Sequence, residues 1–240
     1  MKFTVNRPAF CEALKTVMNV GKSSLLTRIS GIYLYADASK RLLELIGTDV
    51  ITSVIKRIRD ADISMSGEII LPPVVLEILR KTKEESVTIE TDENGALGLS
   101  FGSARYLLVT KPANEFPKSE LVFPTAYVSV SGLLPLLKHA AFAAETKGDK
   151  RELQGVTLRL TPGISTAEAM NQKRMASAVN RNAADGETEM KLHISAVNIL
   201  FSLPSADKTV YAGTAEQRAV FVCGEGLYPN TVPWQAQRSF

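Results

Sequence analysis

At 240 residues, with 45% apolar side chains and a formal net charge of +3, the chain is long enough for one large domain or two ordinary ones, and too weakly charged to mark a polyanion-binding protein by charge alone. No apolar run is long enough to span a bilayer: the best, residues 133–144, is cut by Pro135, Lys138 and His139. Two cysteines, Cys11 and Cys223, argue against a disulfide framework or a Cys-ligated zinc site; with an opening that lacks the apolar core of a signal peptide, they point to a reducing, cytoplasmic setting.

Phe3 and Val5 alternate with polar residues, which predicts a strand with one buried face. Asn6 then suits a helix cap, with Pro8 in the first turn. Phe10, Ala13, Leu14, Val17 and Met18 fall at i, i+3, i+4, i+7 and i+8 and make one apolar stripe, with Glu12, Lys15 and Asn19 on the other face. Alternating runs over 32–35, 42–46 and 51–58 predict strands. Glu68-Ile69-Ile70-Leu71 leads through Pro72-Pro73 into a second helix, whose inner face is expected to be Val74, Val75, Ile78 and Leu79. Strands over 87–90, 97–101 and 105–109 close the unit.

The order of elements then repeats. Val128, Leu133, Leu137 and Lys138 align with Val5, Phe10, Leu14 and Lys15, an offset of 128 − 5 = 123. Gly155-Val156-Thr157-Leu158 aligns with Gly31-Ile32-Tyr33-Leu34, an offset of 155 − 31 = 124. Met190-Lys191-Leu192 ahead of Val197 and Leu200 aligns with Ile69-Ile70-Leu71 ahead of Leu76 and Leu79, an offset of 192 − 71 = 121. Three similar offsets in chain order indicate duplicated domains. The polar, Pro-containing stretch at 114–119 suits a linker, giving domains 1–118 and 119–240. Residues 1–122 carry 16 basic and 15 acidic side chains and residues 123–240 carry 12 and 10, so neither half draws polyanions strongly.

No catalytic constellation stands out, and the expectation is a protein that is not an enzyme and needs no metal or cofactor. Gly21-Lys22-Ser23 resembles the end of a phosphate-binding loop, but that pattern needs a glycine at position 16, which is Thr. Asp49, after Gly47-Thr48, reads better as a turn residue bonding neighbouring amides than as a catalytic acid. His139 and His193 form no local ligand motif.

Several segments carry a resemblance to a known family. Met1-Lys2-Phe3-Thr4-Val5-Asn6-Arg7, Leu43-Glu44-Leu45-Ile46-Gly47-Thr48-Asp49 and Gly67-Glu68-Ile69-Ile70-Leu71-Pro72 are similar to segments of the bacterial DNA polymerase III beta subunits, the sliding clamps. The stretch from Phe101-Gly102-Ser103-Ala104-Arg105-Tyr106 to Pro112-Ala113-Asn114-Glu115-Phe116-Pro117 resembles that family's first-domain ending, and Gly226-Leu227-Tyr228-Pro229 its second-domain ending. The joint order is more specific than any one motif. The chain departs from the family in domain number, two where the family has three per subunit.

The resemblance implies an α+β fold, the DNA clamp fold, in which duplicated domains each pack two helices on antiparallel sheets. It implies a processivity factor that encircles or contacts double-stranded DNA non-specifically and tethers DNA polymerase and other proteins bearing a clamp-binding motif. The alternative is a divergent or truncated clamp-like interaction module that closes no ring. DNA contact would fall to Lys15, Lys22, Arg28, Arg80, Lys81, Lys83, Lys138, Lys147, Lys150 and Arg151, against the plainer reading of solubilising surface charge. The family's Pro-x-Arg/Lys before each second helix is lost: Pro72-Pro73-Val74-Val75 and His193-Ile194-Ser195-Ala196 stand there. The family's peptide cleft matches Leu153, Met170, Arg174, Met175, Pro229 and Trp234, residues that otherwise close the domain edge. Its Thr-Asp-Gly-His-Arg-Leu-Ala reads Met170-Asn171-Gln172-Lys173-Arg174-Met175-Ala176, keeping the Arg and the apolar residue and losing Gly-His. Tyr106 and Leu108 match the family's subunit interface, which implies self-association, as a trimer if a six-domain ring closes and otherwise as a monomer or an edge-to-edge dimer.

Overall fold

The computed structural model describes residues 1–21, 31–49, 52–59, 61–92, 95–116, 123–146, 150–181, 184–203, 209–216, 218–223 and 232–237, the last segment by its backbone. The chain divides into two units, Met1–Ser119 and Glu120–Phe240.

In the first unit, strand β1 (Lys2–Asn6) runs directly into helix α1 (Arg7–Gly21). Asn6 Oδ1 accepts the Ala9 N–H at 3.0 Å, satisfying one donor of the helix start. The predicted stripe is the buried one: Phe10, Ala13, Leu14, Val17 and Met18 are all nearly inaccessible. Each large side chain so buried is worth roughly 1.5–3 kcal/mol. The stripe packs on β3 (Leu42–Thr48) and β4 (Thr52–Ile58), which join β2 (Ile32–Asp37) and β6 (Gly67–Leu71) in the order β4-β3-β2-β6. Glu44 and Arg57 face each other across β3 and β4 and form an ion pair at 2.7 Å that suits this register. The other sheet has the order β5-β1-β7-β8-β9, with β5 (Asp62–Met65), β7 (Ser86–Thr91), β8 (Ala96–Phe101) and β9 (Ala104–Val109). β5 has no counterpart in the sequence reading, because its Asp-Ile-Ser-Met exposes three of four residues and carries little buried alternation.

Helix α2 (Val74–Arg80) follows Pro72-Pro73 and packs beside α1. Its inner face is Val75, Leu76 and Leu79, which corrects the expectation: Val74 is 40% exposed and Ile78 only half-buried. Val74 is the first residue of α2, directly after the Pro73 cap, and the buried stripe is displaced by about one residue from the expected one.

The second unit repeats the plan with strand β10 (Val128–Val130), helix α3 (Leu133–Ala141), β11 (Gly155–Thr161), β12 (Ile164–Met170), β13 (Met175–Arg181), β14 (Thr188–His193), helix α4 (Ile194–Phe201), β15 (Val210–Ala215), β16 (Arg218–Cys223) and β17 (Val232–Gln237). Its sheet β13-β12-β11-β14 copies β4-β3-β2-β6, and its strands β10-β15-β16-β17 copy β1-β7-β8-β9. The registers repeat too. Ile32 lies opposite Leu71, and Val156 opposite Leu192, the partners that the offsets align. Leu76 and Leu79 are buried on α2 as Val197 and Leu200 are on α4.

Two close approaches explain glycines that recur in the duplication. A Cβ on Gly31 would stand 2.3 Å from Ile70 Cγ2, and one on Gly155 would stand 2.7 Å from the Leu192 carbonyl oxygen. Closest of all is Gly47 on β3, where a Cβ would meet the Val17 carbonyl oxygen of α1 at 2.1 Å. The helix backbone therefore lies directly on the sheet at this point. Gly47→Ala is expected to push α1 off its seat and destabilise the first unit by about 1–3 kcal/mol, the usual range for overpacking. Chemical denaturation monitored by circular dichroism reads this as a lower midpoint.

Candidate functional site

Three surfaces gather the residues that the sequence singles out. The first is the polar side of the helix pair in each unit. On α1, Glu12, Lys15 and Asn19 are exposed opposite the buried stripe. On α2 and just beyond it, Arg80, Lys81 and Lys83 are exposed, with Glu77 and Glu84 among them. The face is therefore mixed in sign rather than uniformly basic. Arg7, which the sequence reading passes over, is used differently. Its Nε donates to the Glu84 carbonyl and its Nη1 to the Leu79 carbonyl at 3.4 Å, so a cation from the start of α1 serves one carbonyl at the end of α2 and one in the segment after it. Cys11 lies near Arg7 and Arg80; partial burial raises its thiol above the ordinary value, and the two guanidiniums oppose that rise.

In the second unit, Lys138 and His139 are exposed in the last turn of α3, and Lys150 is exposed in the segment that follows. Helix α4 carries no Lys or Arg, so this pair offers fewer cations than the first. Ser195 stands at the position of the lost cation, and His193 caps α4. Its Nδ1 accepts the Ser195 N–H at 3.2 Å and lies 2.7 Å from Ser195 Oγ. Lys22, Arg28 and Lys147 lie outside the described residues, as does the side chain of Arg151.

The second surface is the hairpin between β12 and β13. Met170 lies opposite Met175 at its mouth, and both are exposed, by 44% and 61%. Asn171 shapes the turn: its Oδ1 accepts from the N–H groups of Lys173 (2.9 Å) and Arg174 (3.0 Å), and its own N–H donates to the Arg174 carbonyl at 2.9 Å. Arg174 is thereby held with its guanidinium 5.5 Å above the ring of Phe142, at the end of α3. Phe142 is 59% exposed and is a site residue the sequence reading missed. Its signal was available: it falls off the α3 stripe of Leu133, Leu136, Leu137, Ala140 and Ala141. Leu153 is half-buried in the one-turn 3-10 helix Arg151–Leu153, with its carbonyl accepting the Glu145 N–H at 2.8 Å. Trp234 lies on β17 with its Cα opposite Phe221, and Pro229 lies outside the described residues.

The third surface is β9, the last strand of its sheet, which pairs with β8 on one side. Tyr106 is 42% exposed and stacks on Phe101 with ring centroids 5.6 Å apart; Leu108 is half-buried. Among the described residues no group of three His, Cys, Asp or Glu is placed to hold a metal ion, and no helix is long and apolar enough to cross a membrane. Asp49, the one acid weighed for catalysis, accepts the Thr52 N–H at 2.6 Å, as a turn residue does.

Comparison with known proteins places these surfaces in context. Residues 1–120 match the family model described as DNA polymerase III beta subunit, N-terminal domain. The chain is 31% identical over 221 residues to the beta sliding clamp of Synechococcus elongatus, covering 84% of this chain and 58% of that one. It is 28% identical over 180 residues to the beta sliding clamp of Pseudomonas aeruginosa, covering 73% and 48%. The chain thus spans about half the length of these curated relatives. Among solved structures, the DNA polymerase sliding clamp from Bacillus subtilis matches with a TM-score of 0.88 at 19% identity, and the DNA polymerase III subunit beta from Pseudomonas aeruginosa with 0.88 at 21%. Each match covers 100% of this chain and 65% of the other. His193→Ala is expected to remove the α4 cap and cost about 0.5–2 kcal/mol, with His193→Asn restoring most of it; thermal unfolding of the three proteins gives the comparison.

Proposed function

The chain belongs to the DNA polymerase III beta subunit family, and we propose that it works as a sliding-clamp-like processivity factor: a non-catalytic protein that holds double-stranded DNA without reading its sequence and tethers a DNA polymerase. The observation that carries this reading is the clamp fold matched over the whole chain in both duplicated units. The chemistry of the helix faces agrees. Lys15, Arg80, Lys81, Lys83, Lys138 and Lys150 are exposed cations on or beside one-sided helices. Contacts of such groups to phosphate carry no sequence information, which suits a protein that must slide, and they weaken as counterions compete. Base-specific hydrogen bonds would instead stop movement.

Tethering is assigned to the β12–β13 hairpin, Leu153 and the segment carrying Pro229 and Trp234. A clamp-binding peptide needs an apolar anchor site, and exposed Met170 and Met175 supply adaptable apolar contact beside the fixed guanidinium of Arg174. The exposed edge formed by Tyr106 and Leu108 is assigned to self-association. A second reading, an interaction module of the same fold that does not encircle DNA, is favoured by one observation: Glu12 and Glu77 interrupt the cations of the first helix pair, and α4 has none.

Retention on closed circular DNA before and after linearisation separates these readings. A clamp stays on the circle at moderate salt and is lost from the cut ends, whereas equal loss from both forms favours the interaction module. The peptide site has its own measurement. A short clamp-binding peptide should change Trp234 fluorescence, and Leu153→Ala or Met175→Ala should weaken binding by about 1–2 kcal/mol; an unchanged signal at millimolar peptide would remove the assignment.

A further inference from the structure

Given the reading of the β12–β13 surface as a tethering site, we propose that Met170 and Met175 are an oxidation site, and that converting them to sulfoxides closes this surface to apolar peptides. The chain has six methionines. Met1, Met18 and Met190 are buried, whereas Met65, Met170 and Met175 are exposed by 58%, 44% and 61%. Only an accessible thioether meets an oxidant in solution. Two of the three accessible ones lie on one hairpin, directly opposite each other in the β12–β13 register. Residues so placed share a face, with Cβ atoms about 4.5–5.5 Å apart. The pair therefore makes one patch rather than two scattered side chains. The segment of the clamp family that this stretch resembles has Thr and Leu at the two positions, so the sulfur is particular to this chain.

The chemistry balances with hydrogen peroxide as the oxidant. A lone pair of the methionine sulfur attacks one peroxide oxygen, an S–O bond forms and the O–O bond breaks. Sulfur is oxidised by two electrons and the peroxide is reduced by two. The proton of the attacked oxygen passes to the departing one, which leaves as water. The product is a polar, chiral sulfoxide in place of a flexible apolar side chain, and thiols reverse it, giving thioether, disulfide and water. The sulfoxide oxygen accepts hydrogen bonds from water. An apolar peptide anchor laid over it removes that water and supplies no donor in return. The hairpin itself does not need the sulfur. Asn171 Oδ1 holds its turn by accepting the Lys173 and Arg174 N–H groups, and the strands stay in register from Ile164 opposite Arg181 to Met170 opposite Met175. Oxidation thus changes what the surface binds and leaves its backbone in place. The cysteines compete poorly. Cys223 is buried, and burial raises the Cys11 thiol above its ordinary value, which withholds the thiolate that peroxide attacks.

Treatment of the full chain with hydrogen peroxide tests this, with peptide mapping by mass spectrometry to locate the added oxygen. Met65, Met170 and Met175 should gain oxygen well before Met18 and Met190, with the circular dichroism spectrum unchanged. Titration of a fluorescently labelled peptide carrying a clamp-binding motif then reads the consequence. Oxidation should weaken binding by about tenfold. Methionine sulfoxide reductases of both stereospecificities, with dithiothreitol, should restore it. Met65→Leu, a change in the first unit, should leave that loss in place. Met170→Leu with Met175→Leu removes both sulfurs of the hairpin, and this variant is compared with its own affinity before treatment, which peroxide should leave unchanged. Three results would overturn the oxidation site: equal affinity of the wild-type chain before and after treatment, the same loss in the double-leucine variant, or oxygen on Met18 and Met190 as early as on Met170 and Met175. A reduced chain that binds no peptide at any concentration removes the tethering reading and the switch with it, an outcome set apart from the other three because it precedes oxidation.

Discussion

The fold depends on how closely a helix backbone can approach a sheet. In the first unit α1 rests on β3 with the Val17 carbonyl where a side chain at position 47 would begin, and only glycine leaves that space. This contact lets six apolar side chains of a fifteen-residue helix reach the core at once. The same economy governs Gly31 and Gly155, where β2 and β11 approach the ends of β6 and β14. With the helix this low, half of its residues are buried, and beyond its first turn the exposed positions are the polar Glu12, Lys15 and Asn19. The surface available to a polyanion is thus a by-product of core packing.

That origin accounts for the character of the helix faces. A surface built for electrostatic capture would be of one sign, because like charges concentrate the field and speed encounter. Here Glu12, Glu77 and Glu84 lie among Lys15, Arg80, Lys81 and Lys83, and Arg7 is turned inward to the carbonyls of α2. Helix α4 is capped by His193 and carries no Lys or Arg. The DNA binding proposed for such a face would draw on few phosphate contacts, so that persistence on DNA would come from topology more than from affinity.

The second unit shows how a turn sets up the surface proposed for peptide binding. Asn171 fixes the β12–β13 loop through its own side chain, and the fixed loop delivers Arg174 to Phe142. The two methionines at the hairpin mouth are then exposed on ordered backbone rather than on a wandering loop. Ordered backbone with pliant side chains is a sound basis for binding short peptides, because the ordering cost is met during folding while methionine still adapts to its partner.

The sequence by itself determined the α+β class, the α1 stripe, the Asn6 cap, most strands and the duplication, whose offsets align Ile32 with Val156 and Leu71 with Leu192. These are local or periodic properties: which side chains share a face is fixed by 3.6- and 2-residue repeats along the chain. It also carried the family resemblance through short segments in order. The rotation of α2 onto Val75, Leu76 and Leu79, the extra strand β5, the stacking of Arg174 on Phe142 and the inward turn of Arg7 were decided by tertiary structure alone. Each depends on contacts between residues far apart in the chain or on how two elements share space. Periodicity shows that a side chain has a face, but only packing decides what that face meets.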